Sequence, residues 1–284
     1  MRAIPLYVLG GLLALPVQAS EVQDLLGRLA VAERQQSFQG TFIYERDGSF
    51  STHAVWHRVD EGGEVRERLL QLDGPAQEVL KVNGQAQCIT GALAEQISDG
   101  QSWPARHLDA EQLGNWYDMR IVGQSRIANR PTIVLALTPR DQHRYGFELH
   151  LDRDTGLPLK SLLLNERGQL LERFQFTQLD ISTPVADAMQ PSSNCKPVRL
   201  KPAESMADGR WRSDWLPPGF VLNTAQLRRG SAADAPVAYL MYSDGLARFS
   251  VFIEPLQGVG VEDARSQLGP TVAVSRRMST ESGD

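Results

Sequence analysis

The residues with most capacity for chemistry are five histidines, His53, His57, His107, His143 and His150. A zinc site needs several His, Cys or carboxylate ligands converging on one ion at about 2.0–2.3 Å. His53 and His57 are four apart within a β-prone stretch. In a strand that spacing puts them on one face but about 13 Å apart, too far for a shared metal. No His-Glu-x-x-His string occurs, and the histidines read as solvated strand positions. Asp152-Arg153-Asp154-Thr155-Gly156 opens like a calcium loop, yet no downstream ligands complete it. A β-turn uses the same letters for its geometry and is the favoured reading. Nucleophile elbows, phosphate-binding loops and dinucleotide fingerprints are missing from the sequence. A glycosidase carboxylate pair is not legible from spacing, because its members come from distant segments. The pattern points away from catalysis and calls for no cofactor and no metal.

The N-terminus sets the compartment. Arg2 is the only charge before Glu21, residues 3–15 are mostly apolar, and Pro16-Val17-Gln18-Ala19 supplies small residues for a cut after Ala19. These are the parts of a secretory signal peptide. The apolar run falls short of the roughly 20 residues a membrane span needs, and Ser20, not Cys, follows the cut. An exported, soluble protein is expected. In an oxidising compartment Cys88 and Cys195 are expected to pair, with two separate thiols as the alternative. A net charge of −5 argues against a nucleic-acid partner.

Between these landmarks the chain spells mostly strands. Ser20 and Gln23 fit a capping box that opens a helix with Val22, Leu25, Leu26, Leu29 and Ala32 on one face. A β-meander follows, with strands at 40–46, 52–59, 64–72, 77–82 and 85–90. Asp47-Gly48, Glu61-Gly62-Gly63, Asp73-Gly74-Pro75 and Asn83-Gly84 are its turns. A short helix is expected from Asp109 to Trp116, then strands at 118–123, 132–138, 145–151, 158–164 and 170–179. From 181 to 210, Pro184, Pro191, Pro197 and Pro202 among small polar residues read as a linker. A smaller α+β unit begins at Trp211, with strands at 237–242, 247–254 and 271–277 and a helix at 261–268 stopped by Gly269-Pro270. Its last strand has no partner after it, which reads as a chain cut short or an end without order. The expected plan is a signal peptide at 1–19, a β domain at 20–180, a linker at 181–210 and a second domain at 211–284.

Phe42, Tyr44, Trp56, Phe147, Phe174 and Phe176 all fall on expected strands of the first domain. Each alone is explained by core packing. A curved sheet with modest helical cover also permits a concave groove for acyl chains, worth about 0.8 kcal/mol per buried CH₂.

Several strings occur in order: Ser37-Phe38-Gln39-Gly40-Thr41-Phe42-Ile43-Tyr44, Thr138-Pro139-Arg140-Asp141 to Tyr145-Gly146-Phe147, and Leu151-Asp152-Arg153 through Gly156-Leu157-Pro158-Leu159-Lys160. Trp215-Leu216-Pro217-Pro218-Gly219-Phe220 and Ser243-Asp244-Gly245-Leu246-Ala247-Arg248-Phe249-Ser250-Val251-Phe252 follow. Together they resemble the RseB/MucB family of periplasmic regulators of the envelope-stress sigma factor, nearest its alginate-regulating branch. The likeness runs to about Met278, and family members continue with further strand past Asp284.

The resemblance implies a mostly β protein with some α: a large N-terminal half-open antiparallel β-barrel similar to lipoprotein carriers, and a smaller C-terminal α+β domain. It implies binding to the periplasmic part of a single-span anti-sigma factor, shielding it from regulated proteolysis, and release on a lipid or lipopolysaccharide signal. The six aromatics above are the expected lipid contacts. Trp215, Phe220, Arg248, Phe249 and Phe252 are the expected partner contacts. A periplasmic lipid or lipoprotein carrier using the same groove is the second reading. An envelope-glycan enzyme, which needs a carboxylate pair or a metal, is a distant third.

Overall fold

The first expected meander folds as five strands, β1 (Phe38–Arg46), β2 (Ser49–Val59), β3 (Val65–Gln71), β4 (Glu78–Val82) and β5 (Gln85–Thr90). In this computed structural model the described residues are 15–90, 109–198, 204–205, 211, 213–228, 235–256 and 262–278. Asp47 and Gly48, and Asn83 and Gly84, all take positive φ, the requirement of the tight turns that join twisted strands. Five more strands follow: β6 (Tyr117–Ile127), β7 (Arg130–Pro139), β8 (Gly146–Asp152), β9 (Pro158–Leu164) and β10 (Leu170–Asp180). With β11 (Lys196–Pro197) they form one eleven-stranded antiparallel sheet ordered β11-β5-β4-β3-β2-β1-β10-β9-β8-β7-β6. Its two edges, β11 and β6, do not pair with each other, so the barrel stays half-open. At the β1–β10 seam a Cβ on Gly40 would stand 2.3 Å from the Gln178 carbonyl oxygen, so the close approach of the two strands needs a glycine there.

The concave face is filled in two patches. Helix α1 (Leu15–Gln35) lays Val22, Leu25, Leu26 and Leu29 against Tyr117, Leu135, Leu137, Phe147, Leu149 and Leu151. Each such buried side chain contributes about 1.5–3 kcal/mol. A five-residue helix, α2 (Ala110–Gly114), joins this patch through Leu113. Its N-cap is Asp109, whose carboxylate accepts from the backbone N–H of Glu111 and Gln112. The second patch gathers Ala32, Phe42, Val55, Ile127, Leu157, Leu159 and Phe176.

Four expectations are corrected. Helix α1 already runs from Leu15, so Ser20 lies inside it and is not its N-cap; the helix-compatible residues 17–19 carry the helix through. The proline-rich stretch is not a free linker over its first half. A 3-10 turn (Ala186–Met189) and β11 lie against the sheet, with Cys88 and Cys195 joined. Glu78, 2% exposed, accepts from the Ser192 backbone N–H and hydroxyl and, at 2.7 Å, from Arg68 Nε. Polar anchoring does there what apolar content cannot, which is why composition misleads.

The third correction concerns the second unit. Strands β12 (Glu204–Ser205), β13 (Val221–Arg228), β14 (Val237–Ser243) and β15 (Arg248–Ile253) make a sheet in that order, over a core of Phe220, Leu240 and Tyr242. The expected helix at 261–268 is instead β16 (Ala264–Leu268), hairpinned to β17 (Thr271–Ser275). Gly269 takes φ +58° and Pro270 follows, a tight strand-reversing pair and not a helix stop. The last strand therefore has a partner before it. Fourth, the histidines are not solvated as a group. His57 and His150 are 6% and 5% exposed, and His53 is half-buried. The expected signal peptide up to residue 14, His107 and residues 279–284 lie outside the described residues.

Candidate binding site and interdomain contacts

Strand alternation sends Phe38, Phe42 and Tyr44 to the concave face of β1, and pairing sets Phe42 opposite Phe176 and Tyr44 opposite Phe174. Ring centroids are 4.7 Å apart for Phe42 and Phe174, 5.9 Å for Phe42 and Phe176, and 5.2 Å for Phe174 and Phe176. On the β2 side His57 stacks on Phe38 at 4.8 Å and His53 on Phe42 at 5.0 Å. Burial pulls the His53 pKa below its ordinary value, against the opposing effect of Asp73. Next to the rings lies a polar row. His57 Nδ1 is 3.6 Å from one Glu67 oxygen, and Lys81 Nζ is 3.5 Å from the other.

Four of the six expected lipid contacts, Phe42, Tyr44, Phe174 and Phe176, are thus brought together. Phe147 packs in the other patch, under α1. Trp56 pairs with Gln39 and Arg68 on the opposite face of the sheet, where the Arg68 guanidinium stands 4.9 Å from its ring. Phe38, His53 and His57 were missed as members, although their two-residue periodicity with Phe42 and Val55 carried the signal.

The cluster ends in a chain of polar contacts. Tyr44 Oη donates to Glu172 Oε1 at 2.7 Å, Arg46 Nε lies 3.4 Å from the same oxygen, and Arg46 Nη2 donates to Thr271 Oγ1 at 3.0 Å. Burial, followed by the Glu172 carboxylate, pushes the Tyr44 phenol well above its ordinary pKa. Tyr145 Oη donates to the Pro270 carbonyl at 3.1 Å. The β16–β17 turn therefore touches the first sheet at two points.

A second junction centres on Arg144, whose side chain is fully buried. Its guanidinium lies 5.0 Å from the Phe220 ring, 5.4 Å from Trp116 and 5.7 Å from Tyr117. It donates to the Pro218 carbonyl and lies 3.3 Å from Asp141 and 3.4 Å from Asp244. Gly219, at φ +84°, passes so close to Trp116 that a Cβ would sit 2.3 Å from the indole. Of the expected partner contacts, Trp215 and Phe252 are 63% and 58% exposed, and Arg248 is exposed. Phe220 and Phe249 face each other at 5.3 Å in the small core. His143, also exposed, meets the Trp215 ring at 5.4 Å.

The resembling strings mark real landmarks: the β1 seam, the Asp152 turn, the Trp215–Phe220 loop and the Asp244 turn. The Asp152 string is a turn, its carboxylate filled by Arg130 at 2.6 Å and by Thr155 N–H at 2.9 Å. Matching of whole-family models is decisive: residues 21–194 match the MucB/RseB N-terminal domain and residues 205–282 the MucB/RseB C-terminal domain. The chain belongs to the MucB/RseB family. This family member is 62% identical over 280 residues to the sigma factor AlgU regulatory protein MucB of Pseudomonas aeruginosa, covering 98% of this chain and 89% of the relative. It is 29% identical to the sigma-E factor regulatory protein RseB of Escherichia coli K12, over 90% of this chain and 83% of that one. Its fold matches a P. aeruginosa MucA/MucB complex at TM-score 0.79 and 62% identity, covering 93% of this chain and 90% of that chain. A crystal structure of MucB matches at TM-score 0.71 with the same identity and coverage.

Proposed function

We propose that this MucB/RseB member is a periplasmic negative regulator that binds the periplasmic part of a membrane anti-sigma factor, shields it from regulated proteolysis, and lets go when an acyl lipid or lipopolysaccharide is bound. The observation that carries this reading is the 62% identity, over 98% of the chain, to a sigma factor regulatory protein, MucB, with a MucB structure in complex with MucA(peri) matching at 61% identity. Among the described residues no helix is long and apolar enough to cross a membrane.

In this reading the division of labour follows the two matched family domains. The N-terminal sheet holds the acyl chain against Phe42, Tyr44, Phe174 and Phe176. The C-terminal sheet presents Trp215, Arg248 and Phe252 to the partner. A lipid that favours the partner-free arrangement weakens partner affinity by its differential binding, about 1–3 kcal/mol in typical couplings. The test is capture of the purified chain on the immobilised periplasmic segment of the anti-sigma factor. Wild type should be retained, and a Trp215→Ala, Phe252→Ala double variant with an unchanged circular dichroism spectrum should be lost. Equal retention of both would remove these residues from the interface, and no retention of wild type would remove the partner.

A further inference from the structure

We propose that the Gly269-Pro270-Thr271 turn is a strap across one end of the concave face, and that occupancy of the aromatic cluster releases it. The inference rests on the acyl-lipid reading above and names how that site is coupled to the C-terminal region.

The sheet order decides what the turn crosses. Its two contacts, Arg46 at the end of β1 and Tyr145 just before β8, are separated in the sheet by β10 and β9. Three strand spacings are about 14 Å, and the long Arg46 and Tyr145 side chains close that distance by converging on neighbouring residues of one turn. Alternation from Tyr44 and from Phe147 puts both side chains on the concave side. The fit is close: a Cβ on Gly269 would lie 2.7 Å from Arg46 Nε. Small residues and a fixed-φ proline allow the turn to lie flat there.

The strap is wired to the rings by one carboxylate. Glu172 takes the Tyr44 hydroxyl at 2.7 Å and faces Arg46 at 3.4 Å, and Arg46 holds Thr271 at 3.0 Å. Tyr44 belongs to the aromatic patch, packed with Phe42, Phe174 and Phe176. An acyl chain entering among those rings must displace Tyr44, and the phenol cannot move without leaving Glu172. Arg46 then turns to the uncompensated carboxylate and drops Thr271. Among the described residues the hairpin's side chains at 264–267 and 271–275 are exposed, so losing this contact leaves the turn on the Tyr145–Pro270 hydrogen bond and loosens the hairpin.

The experiment is hydrogen exchange of the full chain, read at the amides of 264–275, with and without dansyl-undecanoic acid as a single-chain acyl probe. Probe binding, followed independently by dansyl fluorescence, should speed exchange in the hairpin about fivefold or more, the lower end of ordinary coupling. Thr271→Val, which keeps the shape and removes the acceptor, should raise hairpin exchange to that level without probe, and probe should then add nothing. Bound probe with unchanged hairpin exchange overturns the strap. If no probe binds to wild type, the lipid reading fails by itself; the strap is then decided by Thr271→Val and Tyr44→Phe, and unchanged hairpin exchange in both overturns it.

Discussion

Arg144, in the loop before β8, and Asp244, in the turn after β14, face each other at 3.4 Å with both side chains wholly removed from solvent. A pair of that kind gains little over apolar packing, but breaking it leaves a buried charge short of a partner. Asp244 is held in place by the N–H groups of Leu246 and Ala247 at 2.8 and 2.6 Å, so it cannot follow a displaced partner. The junction is a fixed point between the two sheets, whereas the β16–β17 turn is held by two side-chain hydrogen bonds, from Arg46 to Thr271 and from Tyr145 to the Pro270 carbonyl.

Asp244→Ala should therefore destabilise the protein by about 1–3 kcal/mol, because the buried Arg144 loses one of its two carboxylates and keeps Asp141 at 3.3 Å. Urea unfolding monitored by tryptophan fluorescence checks this. A loss under about 1 kcal/mol would mean that water reaches the guanidinium.

Gly219→Ala tests the same junction by shape. The new methyl meets Trp116 and the backbone keeps a left-handed φ, so a loss of about 1–3 kcal/mol is expected. The Trp116 environment should change with it, seen as an altered near-ultraviolet circular dichroism spectrum.

Breaking the Cys88–Cys195 bridge should lower stability by about 2–4 kcal/mol, since its 107-residue separation removes much entropy from the unfolded chain. Guanidinium unfolding of the Cys88→Ser, Cys195→Ser double variant measures it. Protease cutting between 186 and 198 should rise in parallel, as the strap on the outer face loses its covalent tie.

Acid should weaken the fold through two carboxylates. Burial acts to raise Asp152, but the Arg130 guanidinium and the Thr155 donors outweigh it and hold its pKa below the usual carboxylate range. For Glu78, burial is likewise outweighed by Ser192 and Arg68. Both folded-state values lie below the unfolded ones, so this stability is complete above about pH 5. It is lost as pH falls below the unfolded values, near 4, and through the folded ones. Thermal melts across that range should fall steeply for wild type and less steeply for Asp152→Asn.

Much of the fold was legible because its turns are written in residues that accept positive φ, such as Asp47-Gly48 and Asn83-Gly84. The turn at Ala128-Asn129, with φ of 46° and 65°, carried no comparable signal at its first position. Trp56 could have been excluded from the groove by arithmetic alone. A two-residue turn after Arg46 fixes Phe42 opposite His53 and puts Trp56 opposite Gln39, one step out of phase. His57 was misjudged because a histidine's burial depends on a ring across the strand, here Phe38, and not on its own neighbours. Residues 261–268 were misread because Arg, Ser and Gln suit either structure and Gly269-Pro270 ends either one. The anchoring of 186–198 depends on Glu78 and Cys88, far away in sequence, so local composition could not reveal it.

The central claim, that lipid and anti-sigma factor oppose each other on this chain, is tested most directly by calorimetric titration of the mature protein against the periplasmic segment of the anti-sigma factor, with and without saturating acyl lipid. Binding at micromolar or tighter affinity that lipid weakens by about fivefold or more is the predicted result. Equal affinity with and without lipid, at a lipid concentration shown to occupy the protein, would contradict it.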